Sequence, residues 1–192
     1  LKSIGGEDIL QPLLSAKLAP PVFAAQVKGP ISIDLDNQAG DQELFHKGFI
    51  GAGDQVVADF YINFDKIGDG SFKDLSNYSL TVEFDPDQLD YVSYAPATSQ
   101  EANVLIAGGG NVPVLPAITT DGKVSFGNAI LGPIAATAPD TSGFIGQLTF
   151  TAKAGFSRTD LLVTSYAYKS VDAPQQETTA LVLARLSDAE IE

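Results

Sequence analysis

The 192-residue chain has no cysteine, no methionine, no tryptophan and a single histidine, His46. Without cysteine there are no disulfides, thiolate metal sites or cysteine nucleophiles. One histidine leaves too few nitrogen and sulfur ligands for a zinc centre. A Ser-His-Asp arrangement would have to use His46, in "ELFHKGF" beside Lys47, and no Gly-x-Ser-x-Gly elbow occurs. Positive charge is scarce too: 11 Lys and Arg against 24 Asp and Glu give a formal charge of −13. Such a surface repels phosphate backbones, which excludes nucleic acid as a partner, and it disfavours anionic membranes. It suits an extracellular or cell-surface protein, or a calcium-rich medium. The apolar stretch at residues 9–27, "ILQPLLSAKLAPPVFAAQV", carries Lys17 and three prolines, so no membrane insertion is expected. With no initiator methionine, the chain reads as a mature product or an excised fragment, any signal peptide already removed.

What the chain does have is glycine (18), proline (11) and 44% hydrophobic residues, the profile of one loop-rich β domain. Alternation of period two dominates. In "QVVADFYINF" Val56, Ala58, Phe60, Ile62 and Phe64 share one face, opposite Gln55, Asp59 and Asn63. Tyr78, Leu80, Val82 and Phe84 alternate with Ser79, Thr81, Glu83 and Asp85, and Phe144, Leu148, Phe150 and Ala152 with Gln147, Thr149, Thr151 and Lys153. Each run predicts a strand with one face on a core and one in water. Further strands are expected at 31–36, 91–95, 123–130, 160–169 and 180–186, the last apolar on both faces. Asp121-Gly122 marks a hairpin-type turn, and "GGG" (108–110) with "NVPVLPA" a long loop. In "FDPDQL", Pro86 stops a strand, and Asp85 and Asp87 supply turn-closing carboxylates. Eight or so strands without helical crossovers predict an all-β antiparallel sandwich over residues 29–187, followed by an acidic tail at 188–192.

Residues 1–28 read as an extension. "GGEDILQPLLSAKLAP" predicts a short helix with Leu10, Leu13, Leu14 and Leu18 on one side and Pro12 near its first turn. "PPVFAAQVKGP" follows as an extended piece. Two readings stand: packing on its own domain or service as a linker, and presentation of an apolar segment, Pro21, Val22, Phe23, Ala24 and Val27, to a neighbouring molecule by strand addition.

Two acidic loops are candidate structural calcium sites: Asp34, Asp36, Asn37 and Asp41 in "DLDNQAGD", and Asp65, Asp69 and Asp74 in "DKIGDGSFKD". Clustered hard oxygen ligands beside glycine suit Ca²⁺, although neither loop has the EF-hand spacing and the same residues also build plain turns. Among 24 acids no two stand out as a catalytic pair facing across a cleft. "GGG" lacks the Gly-Lys-Ser/Thr of a phosphate loop, and Asn77-Tyr78-Ser79 is formally a glycosylation sequon. Tyr61, Tyr166 and Tyr168 are candidates for a sugar-stacking surface; half-buried tyrosines at the sandwich rim are the alternative.

The order of these segments resembles the bacterial cohesin domain and its cohesin-like relatives. The likeness is carried by "GDQVVADFYINF" (53–64), by "YSLTVEFDPDQLDYVSY" (78–94) with its aromatic-Asp-Pro strand end, and by "GKVSFGNA", "GFIGQLTFTAK" and "TDLLVTSYAY" in that order. It spans about residues 30–186. The resemblance implies a jelly-roll β-sandwich of about nine strands that is non-catalytic and presents a sheet face to a protein partner. In cellulosomal cohesins that partner is a dockerin, which itself ligates calcium. Residues 1–28 and the long loop from Thr98 to Thr120 depart from the usual module. The expectation is therefore a non-enzymatic extracellular or cell-surface module for protein–protein association in scaffolding, adhesion or a filament. The alternative is a carbohydrate-binding module attached to a secreted glycoside hydrolase.

Overall fold

Period-two runs rich in β-branched and aromatic residues bury one face only as strands, and their backbone groups must then pair laterally. In the computed structural model, which describes residues 29–109, 111–132, 138–178 and 182–190, these runs form strands. In chain order they are β1 (Ile31–Asp34), β2 (His46–Lys47), β3 (Gln55–Ile62), β4 (Leu75–Glu83), β5 (Leu89–Ala95), β6 (Ile118–Thr120), β7 (Lys123–Ala129), β8 (Gly143–Ala152), β9 (Arg158–Ser170), β10 (Gln176–Thr178) and β11 (Val182–Ser187). One helical turn, α1 (Val104–Ala107), interrupts the loop expected at 98–120. The smaller sheet runs β1-β3-β8-β5; the larger runs β2-β11-β9-β4-β7-β6, with β10 on β9 beyond β11. Every expected strand is present, and β2, β6 and β10 are additional short ones. The pairing is antiparallel except for β2 and β11, which run parallel and set His46, expected in a loop, opposite Arg185. The extension, including Pro21, Val22, Phe23, Ala24 and Val27, lies outside the described residues.

The sheets pack face to face over the side chains that alternation places inside: Val56, Ala58, Phe60 and Ile62 of β3, Leu80 and Val82 of β4, and Leu148, Phe150 and Ala152 of β8. Phe60 meets Phe126 of β7 edge-on at 5.3 Å. One predicted inward residue is elsewhere. The β3–β8 register slips between Phe60 and Tyr61, opposite Gly146, so that Ile145 takes the core position. Phe144 moves to the opposite face and packs edge-on against Tyr61 at 5.7 Å. Gly146 permits this because a Cβ there would lie 2.6 Å from the Tyr94 ring.

A buried polar network crosses the core. The Tyr78 hydroxyl (β4) donates to the Ile145 carbonyl (β8) at 2.6 Å and accepts from Asn103 Nδ2 at 2.5 Å and Asn128 Nδ2 at 3.0 Å. Asn128 (β7) also reaches the Tyr94 hydroxyl (β5) at 3.2 Å. Asn103 caps α1, its Oδ1 accepting from the Leu105 amide at 3.1 Å, while its Nδ2 also donates to the Pro96 and Ile145 carbonyls.

Asp85-Pro86-Asp87 carries the chain from β4 in one sheet to β5 in the other. Asp85 accepts from the Asp87 amide through Oδ1 at 2.9 Å, and its carbonyl takes the Gln88 and Leu89 amides. Residues 188 and 189 of the expected acidic tail are hydrogen-bonded to the domain: Asp188 N donates to the Ser157 carbonyl, and the Ala189 carbonyl accepts from Phe49 N.

Removing the Tyr78 hydroxyl takes one acceptor from the buried Asn103 and Asn128 amides and one donor from the Ile145 carbonyl. Tyr78→Phe is expected to cost about 1–3 kcal/mol, read as a lower urea midpoint with an unchanged slope. A midpoint equal to wild type would show that the hydroxyl does not brace the core.

Candidate functional site

Of the acidic residues, the first loop closes upon itself. Asp34, wholly buried at the end of β1, accepts from the Asp36 amide at 2.8 Å and from the Gln42 amide. Asp41 takes the Ser32 hydroxyl at 2.6 Å and the Glu43 amide at 3.0 Å. In the second loop Asp65 pairs with Lys66 at 2.8 Å, and Asp69 accepts from the Ser71 amide and hydroxyl. Asp74 bonds the Asp140 carboxyl; partial burial and that neighbour push its pKa up. Among the described residues, no three Asp, Glu, His or Cys side chains gather to hold a metal ion. Asp34, Asp41 and Asp69 thus close turns, Asp65 pairs with Lys66 and Asp74 meets Asp140, and among the described residues Asp34, Asp36, Asp41, Asp65, Asp69 and Asp74 are not gathered into one ligand set. Short acidic side chains reach their own backbone more readily than a shared centre, which the sequence pattern alone does not distinguish.

The acids that do converge come from separate segments. Asp34 and Asp59 are directly opposite on β1 and β3, and both are buried. Glu101 reaches over them: one carboxylate oxygen accepts from the Gly40 amide at 2.9 Å, the other from the Tyr61 hydroxyl. Asp59 receives Gln147 Nε2 at 2.8 Å. Burial, with Glu101 and Asp34 adding repulsion, pushes the Asp59 pKa up to about 6. Burial also raises Asp34, and burial with the Glu101 bond raises the Tyr61 hydroxyl. A raised carboxyl can mark acid–base chemistry, but Asp34 and Asp59 lie beneath covering segments and line neither of the two principal hollows. Nothing in strand alternation foretells this cluster, since Asp59 occupies a phase expected in water.

The sugar-stacking expectation fails on burial. Tyr61, Tyr166 and Tyr168 are all buried. Tyr166 and Tyr168 do share a face, with rings stacked at 6.1 Å, but that face is the core side, where Tyr168 meets Phe72.

An open groove of about 810 Å³ lies on the outer face of β9, β4 and β7. Its floor is made of small side chains, among them Ser79, Thr81, Ser125 and Ala167, with Asn77 of the sequon beside them. Gly127 is obligatory there, because a Cβ would stand 2.4 Å from the Tyr78 carbonyl oxygen of β4. Leu115, Pro116 and Ile118 form one wall; Gln175, Glu177 and Thr178 form the other. The apolar wall extends into a patch: Val114 is 73% exposed, Leu115 45% and Ile118 71%. By composition 108–120 is only a connecting loop; the signal that it holds more is a run of aliphatic residues between prolines with no strand partner to bury them.

The sheet margins differ in protection. The β1 margin is buried. The β5 margin is bulged at Val92, bracketed by Pro86 and Pro96, and carries Asp90. The β6 margin, Ile118-Thr119-Thr120, is exposed throughout and uncharged.

Two outcomes test the acidic groups. Because the folded Asp59 holds its proton more tightly than the unfolded chain, its contribution to stability is full below about pH 4 and is lost as pH rises through about 6. Asp59→Asn is therefore expected to raise the melting temperature at pH 8 and to leave it little changed at pH 4; an equal shift at both would refute the assignment. Excess chelator is expected to leave the melting temperature unchanged, whereas a drop of several degrees would restore a cation to the acidic loops.

No family model matches the chain, and no curated protein matches it. Solved structures do. A cohesin module from a Clostridium perfringens family 33 glycoside hydrolase superposes with a TM-score of 0.57 at 13% identity, covering 83% of this chain and 95% of its own. The sixth cohesin of Acetivibrio cellulolyticus scaffoldin B, solved in complex with a Cel5 dockerin, gives 0.55 at 18% identity, with 85% and 100% covered. A Clostridium thermocellum cohesin in a type I cohesin–dockerin complex gives 0.53 at 12%, with 83% and 99% covered. At such identities what is shared is the fold, and the fold of this chain is the cohesin β-sandwich.

Proposed function

We propose that this protein is a non-enzymatic, extracellular or cell-surface module that works by protein–protein association, with further copies of itself as partners. The observation that carries this reading is the cohesin fold, present here over most of the chain and found elsewhere in modules solved bound to a dockerin. The exposed patch at Val114, Leu115 and Ile118 supports it, since apolar surface of this kind beside a groove marks interaction sites. Self-association also accounts for residues 1–28, because Pro21, Val22, Phe23, Ala24 and Val27 of one copy extend a sheet of another by strand addition. The charge of −13 and the lack of cysteine are compatible with an extracellular setting, and among the described residues no helix is long and apolar enough to cross a membrane.

The test is deletion of residues 1–28. The core begins at Ile31, so the shortened chain keeps its fold by circular dichroism. Light scattering is expected to show an oligomer for the full chain and a monomer for the deletion. An unchanged oligomer, or a full chain that stays monomeric at high concentration, overturns the reading.

A further inference from the structure

Resting on assembly in trans, we propose that residues 9–27 of one copy dock on the β6 margin of a second copy, against the β6 edge, its apolar neighbours Val114, Leu115 and Ile118, and the adjoining groove. Three observations converge on this acceptor. The first is edge chemistry. An added strand needs free backbone donors and acceptors without a guarding charge. Among the margins described above, that condition is met at Ile118–Thr120 and not at the buried β1 or the bulged, proline-bracketed β5.

The second is complementarity of need. Five of the eight large hydrophobic side chains exposed among the described residues lie between 106 and 131. That concentrates unburied apolar surface on the stretch that carries the β6 margin. Residues 9–27 hold Leu10, Leu13, Leu14, Leu18, Val22 and Phe23, with Lys17 as their one charge. The groove floor spans two strand spacings, about 10 Å, the width of a single helix or of an extended segment with its side chains. Its small residues allow close approach by either.

The third is position. The chain joins the described structure at Gly29 and Pro30, whose carbonyls accept from the Asn63 side chain at 3.1 Å and the Asn63 amide at 2.8 Å. From there β1 packs against β11, near one end of the larger sheet, while β6 closes the other end. The point where the chain enters the described structure and the acceptor therefore lie on opposite flanks, separated across the larger sheet by about 19 Å at ordinary strand spacing. A contact between unlike surfaces on opposite flanks is heterologous, and it continues from copy to copy.

The cysteine-free sequence makes a direct test clean. Chains with Phe23→Cys are mixed with chains carrying Ile118→Cys under mild oxidation; a disulfide-linked heterodimer is expected, at several times the yield of a Phe23→Cys mixture with Val92→Cys. In parallel, Leu115→Asp with Ile118→Asp is expected to abolish the light-scattering oligomer, or to weaken it at least tenfold, with circular dichroism unchanged, while Val92→Asp assembles as wild type. If the Leu115/Ile118 variant assembles normally although deletion of residues 1–28 gives a monomer, trans assembly stands and this acceptor falls. If the deletion also assembles, both fall. A crosslink that forms only within one chain of a Phe23→Cys, Ile118→Cys double variant overturns docking in trans.

Discussion

The Tyr78 hydroxyl is where the two sheets are held in register. Apolar contacts in a β-sandwich core are non-directional, so packing alone leaves some freedom of offset between the sheets. A single phenol that must satisfy Ile145 on the smaller sheet and Asn103 and Asn128 around it removes that freedom. The bulge at Gly146 lies beside the Ile145 carbonyl that the phenol uses, and the α1 cap is built from the same Asn103 side chain. The position of the loop that leads to the apolar wall therefore depends on a hydrogen bond buried in the centre of the protein.

Much of the fold was legible because alternation is a local signal. The core phase of β3 and β4 and the stop at Asp85-Pro86-Asp87 all follow from residue spacing, and the cohesin-type order of segments follows from their sequence. What was not legible depends on partners distant along the chain. Phe144 left the core phase because a glycine opposite Phe60 let the register slip before Tyr61. Tyr61 and Asp59, both on a phase expected in water, are buried by Glu101 and the Gly40 loop, about forty residues away on one side and twenty on the other. The acidic loops looked like ligand sets because Asp and Asn serve turns and cations with the same oxygens.

The candidate interaction surface shows the same division. That 108–120 is a proline-broken connection was visible in composition; that Leu115 and Ile118 wall a groove required β7, β4 and β9 to lie side by side. A small-residue floor gives no hydrophobic signal at all, since Ser79, Thr81 and Ser125 read as an ordinary solvated strand face. Its significance comes from the walls that neighbouring segments raise around it.

The parallel pair β2–β11 has a consequence for how the molecule is made. It joins residues 46–47 to 185–186, and the β3–β8 and β4–β9 pairings likewise reach across much of the chain. Native pairing of this kind forms slowly, because a long loop must close before its contacts repay the lost entropy. A nascent chain therefore has no self-sufficient first half: until its last strand arrives, β9 keeps a bare edge and the core lacks Ala184 and Leu186. Completion of the sandwich therefore waits on the strand that supplies these residues.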